Sequence, residues 1–249
     1  MSLLIKNLNV HVQEKKVLRN VSLEVPFGEL TVLAGSNGSG KSSLAHTLVG
    51  DPGYRVLSGS VELGNKDLLA QKPWERVLNG LFLCFQNPPV VEGLSWFEFL
   101  KESYNAFHKT KDPNFREIKT IEFRDKVKKM MSRVGLGEDF LERNLNEGFS
   151  GGEKKKSELV QMLLLKPKLV ILDEVDSGLD LDSLKKVIDL IAWLLEKETG
   201  ILLITHHPRI LEQVSPDQVA IMESGKIIER GGGELVKKVL EKGFENKKK

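Results

Sequence analysis

A single cysteine, Cys84, is all the thiol chemistry in this 249-residue chain, which excludes an internal disulfide framework and fits a reducing compartment. Long apolar runs are missing as well. Nothing approaches the ~20 apolar residues a bilayer-spanning helix needs, and the apolar part of Met1-Ser2-Leu3-Leu4-Ile5-Lys6 is too short for a secretory leader. Nor is there an excess of charge: 37 basic residues against 35 acidic ones leave +2, so no global field draws the chain to nucleic acid. These absences predict a soluble, cytoplasmic protein with no direct membrane insertion and no nucleic-acid partner. Apolar residues, at 40%, are sufficient for one large α/β domain or two small ones.

Gly35-Ser36-Asn37-Gly38-Ser39-Gly40-Lys41-Ser42 fits G-x-x-x-x-G-K-[ST], the phosphate-binding P-loop. Its flanks are those the motif requires. Leu30 to Ala34 is a short apolar run suited to a buried parallel strand, and Leu44, Ala45, Leu48 and Val49 recur at helical spacing until Gly50 and Pro52 stop the helix. The glycines let successive backbone N–H groups curl inward at the positive end of a helix and cradle phosphates. Gly35, Ser36, Asn37, Gly38, Ser39, Gly40, Lys41, Ser42 and Ser43 are therefore the expected ATP-binding residues. Lys41 is expected to reach the β and γ phosphates, and Ser42 to ligate Mg²⁺ through its hydroxyl.

Leu3 to Val12 and Val17 to Val25 read as strands that roof the nucleotide. After the P-loop helix, Gly53 to Gly59 reads as a connection, Ser60 to Leu63 as a short strand, Asp67 to Arg76 as partly helical and Leu81 to Phe85 as an apolar core strand. Gln86 follows, and Asn87-Pro88-Pro89 takes the chain out of the sheet. From Ser95 to Lys166 the periodicity is helical, with Phe97, Leu100, Tyr104 and Phe107 on one stripe and Phe123, Val127, Met130, Met131 and Val134 on another, both read as core packing. The sheet resumes at Leu169 to Leu172, followed by a helix from about Leu181 to Glu198, strands at Ile201 to Thr205, Val219 to Met222 and Lys226 to Glu229, a helix from Glu234 and a solvated tail at Lys247 to Lys249. Strands alternating with helices around a P-loop predict a mostly parallel sheet.

Asp173 ends an apolar strand, where α/β sheets present ligands, and is the expected metal partner of Ser42. Glu174 comes next and is placed to orient and deprotonate a water attacking the γ-phosphate, which as general base contributes roughly 10² to 10⁴ in rate. Gln86 both donates and accepts, so it suits the metal or the attacking water and links them to the helical region. Phe149-Ser150-Gly151-Gly152-Glu153 precedes another helix and makes a second anion site of hydroxyl and free N–H groups.

At this point the sequence resembles the ABC-type ATPases, whose signature Leu-Ser-Gly-Gly-Gln is matched here as Phe-Ser-Gly-Gly-Glu. The resemblance covers essentially the whole chain. It implies an α/β ABC ATPase head with a mostly parallel core sheet, an antiparallel β subdomain and a helical insertion. The core then comprises 1–86 and 169–249, with the helical part at 87–168. In that family two heads pack head to tail, so a second copy is an expected partner, and Ser150, Gly151 and Gly152 would cap ATP held by the other copy's P-loop. By the same resemblance Ser177-Gly178-Leu179-Asp180 is the D-loop and His206 the switch histidine on the γ-phosphate, joining Glu174 and Gln86 in catalysis. Ser42, Gln86 and Asp173 are the implied Mg²⁺ set. Two positions depart from the family pattern: Glu153 replaces the usual Gln, and the aromatic that stacks on adenine falls near Val12, which has no π face.

Within the superfamily, three stretches are similar to the SufC ATPases of the SUF iron-sulfur cluster assembly system. They are Asn146 to Lys156, Leu172 to Asp182, and Phe85-Gln86-Asn87-Pro88-Pro89 with Gly93, Phe99-Leu100 and Tyr104-Asn105-Ala106. That similarity implies a SufB-like or SufB/SufD scaffold bound through the region after Gln86. One cysteine is too few for a chain that itself holds a cluster, which takes about four such ligands. The alternative is the nucleotide-binding subunit of an ABC membrane transporter.

Overall fold

A computed structural model describes residues 1–207 and 210–242; the expected tail at Lys247 to Lys249 lies outside the described residues. The elements in chain order are β1 (Ser2–Val12), β2 (Lys15–Pro26), β3 (Leu30–Ala34), α1 (Lys41–Val49), β4 (Tyr54–Leu63), β5 (Lys66–Asp67), α2 (Pro73–Leu78), β6 (Leu81–Cys84), α3 (Trp96–Lys111), α4 (Thr120–Val134), a 3₁₀ turn (Glu138–Glu142), α5 (Gly151–Leu165), β7 (Leu169–Asp173), α6 (Leu181–Glu196), β8 (Gly200–Thr205), α7 (Leu211–Val214), β9 (Gln218–Glu223), β10 (Lys226–Gly231) and α8 (Gly233–Lys242).

Two sheets organise them. The larger has the order β10-β9-β3-β8-β7-β6, parallel except for the β10 edge, and the smaller, antiparallel, has the order β2-β1-β4-β5. The central strands β3, β7 and β8 are buried along their whole length, because both faces of a parallel sheet are covered. One face sets Leu33, Ile171 and Leu202 against Leu44 and Leu48 of α1 and the inner side of the antiparallel sheet. The other sets Val32, Leu172 and Leu203 against a helical layer that includes Phe123, Val127 and Met131 of α4 and Leu159 and Leu163 of α5. Both predicted stripes face this core, with Leu100 and Phe123 among its buried members and Tyr104 and Met130 at its margin.

One sequence expectation fails. Gly53 to Gly59 is not a connection: β4 begins at Tyr54 and pairs with β1 along its length. Gly59 sits opposite the irregularity in β1 between Lys6 and Asn9, with φ at 104°, and a Cβ there would lie 2.7 Å from the Asn7 carbonyl oxygen. Glycine at this position is what allows the strand to pass a bulge. The α6 helix also stops two residues early, at Glu196, and α7 was not anticipated.

Strand register sets the site. Ala34 pairs with Thr205, Asp173 with Ile204 and Cys84 with Leu172. The chain therefore leaves β3, β6, β7 and β8 at one edge, carrying the P-loop, Gln86, Glu174 and His206 to a common level.

Candidate nucleotide site

At that edge lies a cavity of about 480 Å³, lined by Asn37, Gly38, Gly40, Lys41, Ser42 and Ser43 of the loop and first turn of α1, by Gln86 and Glu174, by Lys15, Lys16, Val17 and Arg19, and by Ser224 and Gly225. The loop is shaped by glycines at positive φ. Gly35 has φ at 153°, and a Cβ there would lie 2.2 Å from the Met222 carbonyl oxygen. Gly40, at φ 112°, is the residue from which α1 starts, and it offers no side-chain cap, so the first amides of the helix have no side-chain acceptor at that end.

Lys41 is 4% exposed, and its Nζ donates to the carbonyls of Gly35 at 2.8 Å and Ser36 at 3.0 Å, which holds the ammonium inside the loop. Burial lowers its pKa, against the opposing pull of Glu174 and Asp173. Ser42 Oγ donates to Asp173 Oδ1 at 3.4 Å, bringing the helix and the end of β7 together beneath the cavity. Burial raises the Asp173 pKa, opposed first by the Ser42 hydrogen bond. A buried carboxylate beside a hydroxyl is a fitting half-shell for a small hard cation, and among the described residues there is no cluster of three or more His, Cys, Asp or Glu that would make an all-protein cage. One carboxylate, a hydroxyl and the Gln86 amide match Mg²⁺, which completes its shell with phosphate and water.

Glu174 is 6% exposed and has a positive φ of 51°, a backbone state that β-strand continuation would not give. The turn aims its carboxylate away from β7 while its amide still donates to the Ile204 carbonyl at 2.9 Å. Gln86 Nε2 donates to Glu174 Oε2 at 2.6 Å, and His206 Nδ1 lies 2.8 Å from Glu174 Oε1. The three residues expected in catalysis thus form one connected cluster.

The signature residues lie elsewhere. Ser150 caps α5 by accepting from the Glu153 amide at 3.4 Å, and Glu153 Oε2 accepts from the Ser150 amide at 2.7 Å. The Ser150 amide, first among the causes, holds the Glu153 carboxyl below its ordinary pKa. This capping box accounts for Glu at the position: it completes the helix start reciprocally. Ser150, Gly151 and Gly152 do not line the cavity of their own chain, and Ser150 and Gly151 are exposed.

Several residues at the site were not anticipated. The Gly225 amide donates to the Ser39 carbonyl at 2.8 Å, and its carbonyl accepts from the Arg19 amide at 2.8 Å, so the β9–β10 turn ties the P-loop to β2. Lys155, 7% exposed in α5, donates to the carbonyls of Glu174 at 2.6 Å and Ser177 at 2.5 Å, joining the helix that Ser150 caps to the turn that carries Glu174. Thr205 Oγ1 donates to Asp176 Oδ2 at 2.9 Å and accepts from the His207 amide at 2.9 Å. Val12 is not part of the cavity wall; the start of β2, just after the β1–β2 turn, presents Lys15, Lys16 and Val17 there instead. Two adjacent lysines at a strand turn were the available signal, and their meaning depended on where that turn folds.

Residues 18–177 match the family model described as ABC transporter. The chain is 43% identical to a probable ATP-dependent transporter of Synechocystis sp., covering 97% of this chain and 93% of that one. It is 41% identical to the probable ATP-dependent transporter SufC of Escherichia coli, covering 96% of each. Its fold matches that of a dimeric ATP-binding cassette solved in a post-hydrolysis state with ADP and Pi, with a TM-score of 0.79 at 18% identity over 92% of this chain and 98% of the other.

Proposed function

The chain belongs to the ABC ATPases, a family that binds and hydrolyses ATP, and from that premise we propose that it drives conformational change in a SufB-like or SufB/SufD scaffold during iron-sulfur cluster assembly. The observation that carries this reading is the 41% identity to the Escherichia coli protein named SufC, spread over 96% of both chains rather than confined to the ATPase motifs.

In this reading the P-loop amides and Lys41 hold the β and γ phosphates, and Ser42, Asp173 and Gln86 hold Mg²⁺, which when bound neutralises phosphate charge. Glu174 accepts the proton of the attacking water. His206 and Gln86, already hydrogen-bonded or adjacent to both Glu174 oxygens, fix the direction of that carboxylate. Ser150, Gly151 and Gly152 act on the ATP of a second copy packed head to tail. The exposure of Ser150 and Gly151 and the absence of all three from the lining of their own cavity support that role, as does the dimeric state of a cassette with the same fold. The helical part, 87–168, is the arm through which the scaffold is engaged, and the remaining residues form the ATPase core.

A second reading has its own observation: the relatives from Synechocystis and Escherichia coli are both named probable ATP-dependent transporters. In that case the chain is the nucleotide-binding subunit of a membrane transporter. Among the described residues no helix is long and apolar enough to cross a membrane, so a separate permease would supply the channel. Reconstitution with a SufB-like scaffold decides between the two. The scaffold is expected to raise ATP turnover, and ATP to increase labelling of buried scaffold cysteines. Unchanged turnover and labelling would overturn the assembly role.

A further inference from the structure

The lining of the nucleotide cavity is charged out of balance. Four cations, Lys15, Lys16, Arg19 and Lys41, stand against one carboxylate, Glu174, and that carboxylate is already engaged with Gln86 and His206. Lys41 is held by the Gly35 and Ser36 carbonyls inside the loop. Lys15, Lys16 and Arg19 are exposed at the start of β2, and among the described residues none of them has a carboxylate within ion-pair distance. Their backbone is nevertheless fixed. Lys15 and Lys16 pair with Val12 and His11 of β1, and the Arg19 amide donates to the Gly225 carbonyl at 2.8 Å, so the three cations form a rim of set position beside the P-loop.

The start of α5 carries the opposite charge. Glu153 Oε2 accepts from the Ser150 amide at 2.7 Å, and among the described residues no cation lies within ion-pair distance of this carboxylate. The nearby cations are turned elsewhere: Arg143 is paired with Asp139, and Lys156 Nζ donates to the Gly135 carbonyl at 3.3 Å. The bond from the Ser150 amide holds the Glu153 carboxyl below its ordinary pKa, so it is ionised at neutral pH. A capping box accepts Gln as well as Glu, so the reciprocal bonds at Ser150 do not by themselves require the charge. The helix dipole favours an anion in this turn, but the turn also adjoins Ser150, Gly151 and Gly152, which in the head-to-tail pairing cover a triphosphate. Two anions brought together there repel unless cations join them.

We propose that in the closed pair Glu153 of one copy forms an ion pair with the rim of Lys15, Lys16 and Arg19 of the other, once on each side of the pair. The proposal rests on the head-to-tail pairing above and deepens it, and the partner it names is a second copy of this chain. A two-fold pair is self-complementary, so each copy supplies both a cationic rim and a carboxylate. The rim then has a task separate from that of Lys41 and the loop amides: it neutralises the carboxylate that α5 brings toward the nucleotide. Attraction between rim and helix end also steers the copies into register, and salt weakens it. ATP decides whether the pair closes, and the charge pair decides which surfaces meet, because a copy presented in any other register leaves Glu153 facing the nucleotide uncompensated.

The test is light scattering of the full-length chain at saturating ATP, with Glu174→Gln in every protein so that ATP is held, and with nucleotide occupancy checked by titration. The rim variant, Lys15→Glu with Lys16→Glu, and the helix variant, Glu153→Lys, are each expected to associate roughly tenfold or more weakly on their own, because like charges then face each other at both contacts. An equimolar mixture of the two is expected to associate as the parent does: in the mixed pair one contact joins the reversed rim to the reversed helix end, and the other is unaltered. Glu153→Gln, which can keep the capping box, is expected to weaken association severalfold and to flatten its dependence on salt. Melting curves show which variants are folded; if Glu153→Lys is lost with its cap, the salt dependence of Glu153→Gln and of the rim variant carries the test. A mixture no better than its parts, or a rim variant that pairs as the parent does, would overturn the proposal. Weaker ATP binding by the rim variant with unchanged association at equal occupancy would assign the cations to the nucleotide of their own copy and overturn it too. Failure of Glu174→Gln alone to associate in ATP would sink the head-to-tail pairing itself and this inference with it.

Discussion

Gln86 Nε2 donates to Glu174 Oε2 across 2.6 Å, joining the end of β6 to the turn after β7. The donor lies two residues past the end of β6, where the chain heads for the helical layer; the acceptor is the carboxylate next to a buried Asp173. A shift of the helical layer that pulls on Gln86 must therefore act on the direction of the Glu174 carboxylate. Lys155 makes a second tie of the same kind, from α5 to the Glu174 carbonyl. The proposed base is thus held by side chain through Gln86 and by main chain through Lys155.

Lys41→Ala and Glu174→Gln are expected to fail differently. The first removes a charge-assisted phosphate contact worth about 1.5 to 3 kcal/mol, so ATP affinity falls roughly 10- to 150-fold. The second keeps the contact to Gln86 within reach of an amide but removes the base, so ATP binds and turnover falls by roughly 10² to 10⁴. Nucleotide titration and single-turnover hydrolysis on both variants separate the roles. Normal hydrolysis by Glu174→Gln would take Glu174 out of the mechanism.

How much of this was legible in sequence follows from how local each contact is. The P-loop, Asp173 with Glu174, and Ser150-Gly151-Gly152 at a helix start are contiguous, so type and spacing are enough to read them, whereas the reciprocal bonds of Ser150 with Glu153 came from the structure. Gln86 was readable from its place after an apolar strand and His206 only through the family resemblance; parallel register puts both at one edge. The Gly225 contact with Ser39 and the Lys155 contact with Glu174 were not, because each joins elements whose adjacency exists only after folding. The first part of β4, ahead of the strand read at Ser60 to Leu63, was missed for a related reason. Gly59 has a bulge across from it, and that bulge belongs to another strand.

ATP is expected to act as a clamp between two copies. Moving a pair from about 1% to about 99% closed takes roughly 5.5 kcal/mol of differential binding, and only a ligand that contacts both copies can supply it. Glu174→Gln should therefore associate in ATP and not in ADP, and Ser150→Ala in that background should weaken the association. Light scattering of these proteins in each nucleotide is the measurement. Equal association in ATP and ADP would defeat the clamp.

Gly225→Ala tests the turn that supports the P-loop. A Cβ at Gly225 would lie 2.3 Å from the Val17 carbonyl oxygen, at a φ of 78° that disfavours any side chain. The strain costs about 1 to 3 kcal/mol and is relieved by moving the turn off Ser39. A lower melting temperature together with weaker ATP binding is expected. A variant that melts earlier but binds ATP as before would show that the turn supports the fold alone.

Lys155→Met keeps the aliphatic stem of the side chain and removes its charge. Two carbonyls, those of Glu174 and Ser177, lose their donor, at about 1 to 3 kcal/mol for each that stays buried. Burial already lowers the Lys155 pKa, so part of that cost is offset by no longer desolvating an ammonium. The expected result is a modest change in melting temperature, unchanged ATP affinity and a loss of turnover. Turnover equal to the parent's would mean that the Glu174 turn holds its shape without this tie.

Glu158 gives a pH dependence whose sign is fixed by its environment. Its pKa in the folded chain is about 8, against an ordinary value of 4.5, the first cause being burial. Between those two values the folded chain keeps a proton that the unfolded chain has released. Stability therefore falls as pH rises from about 4.5 to about 8, at up to roughly 1.4 kcal/mol per pH unit, and this contribution levels off above 8. Gln at that position cannot titrate. Arg76, the His46–Asp51 pair, Lys155 and Cys84 surround the site in both proteins, so the difference between Glu158→Gln and the parent isolates the carboxyl. The two are expected to melt at similar temperatures near pH 5, with the glutamine variant increasingly the more stable toward pH 8. Urea denaturation at pH 5, 6, 7 and 8 measures it directly. A constant difference across the series would mean that the Glu158 carboxyl is ionised throughout, with a charge partner already present in the folded chain.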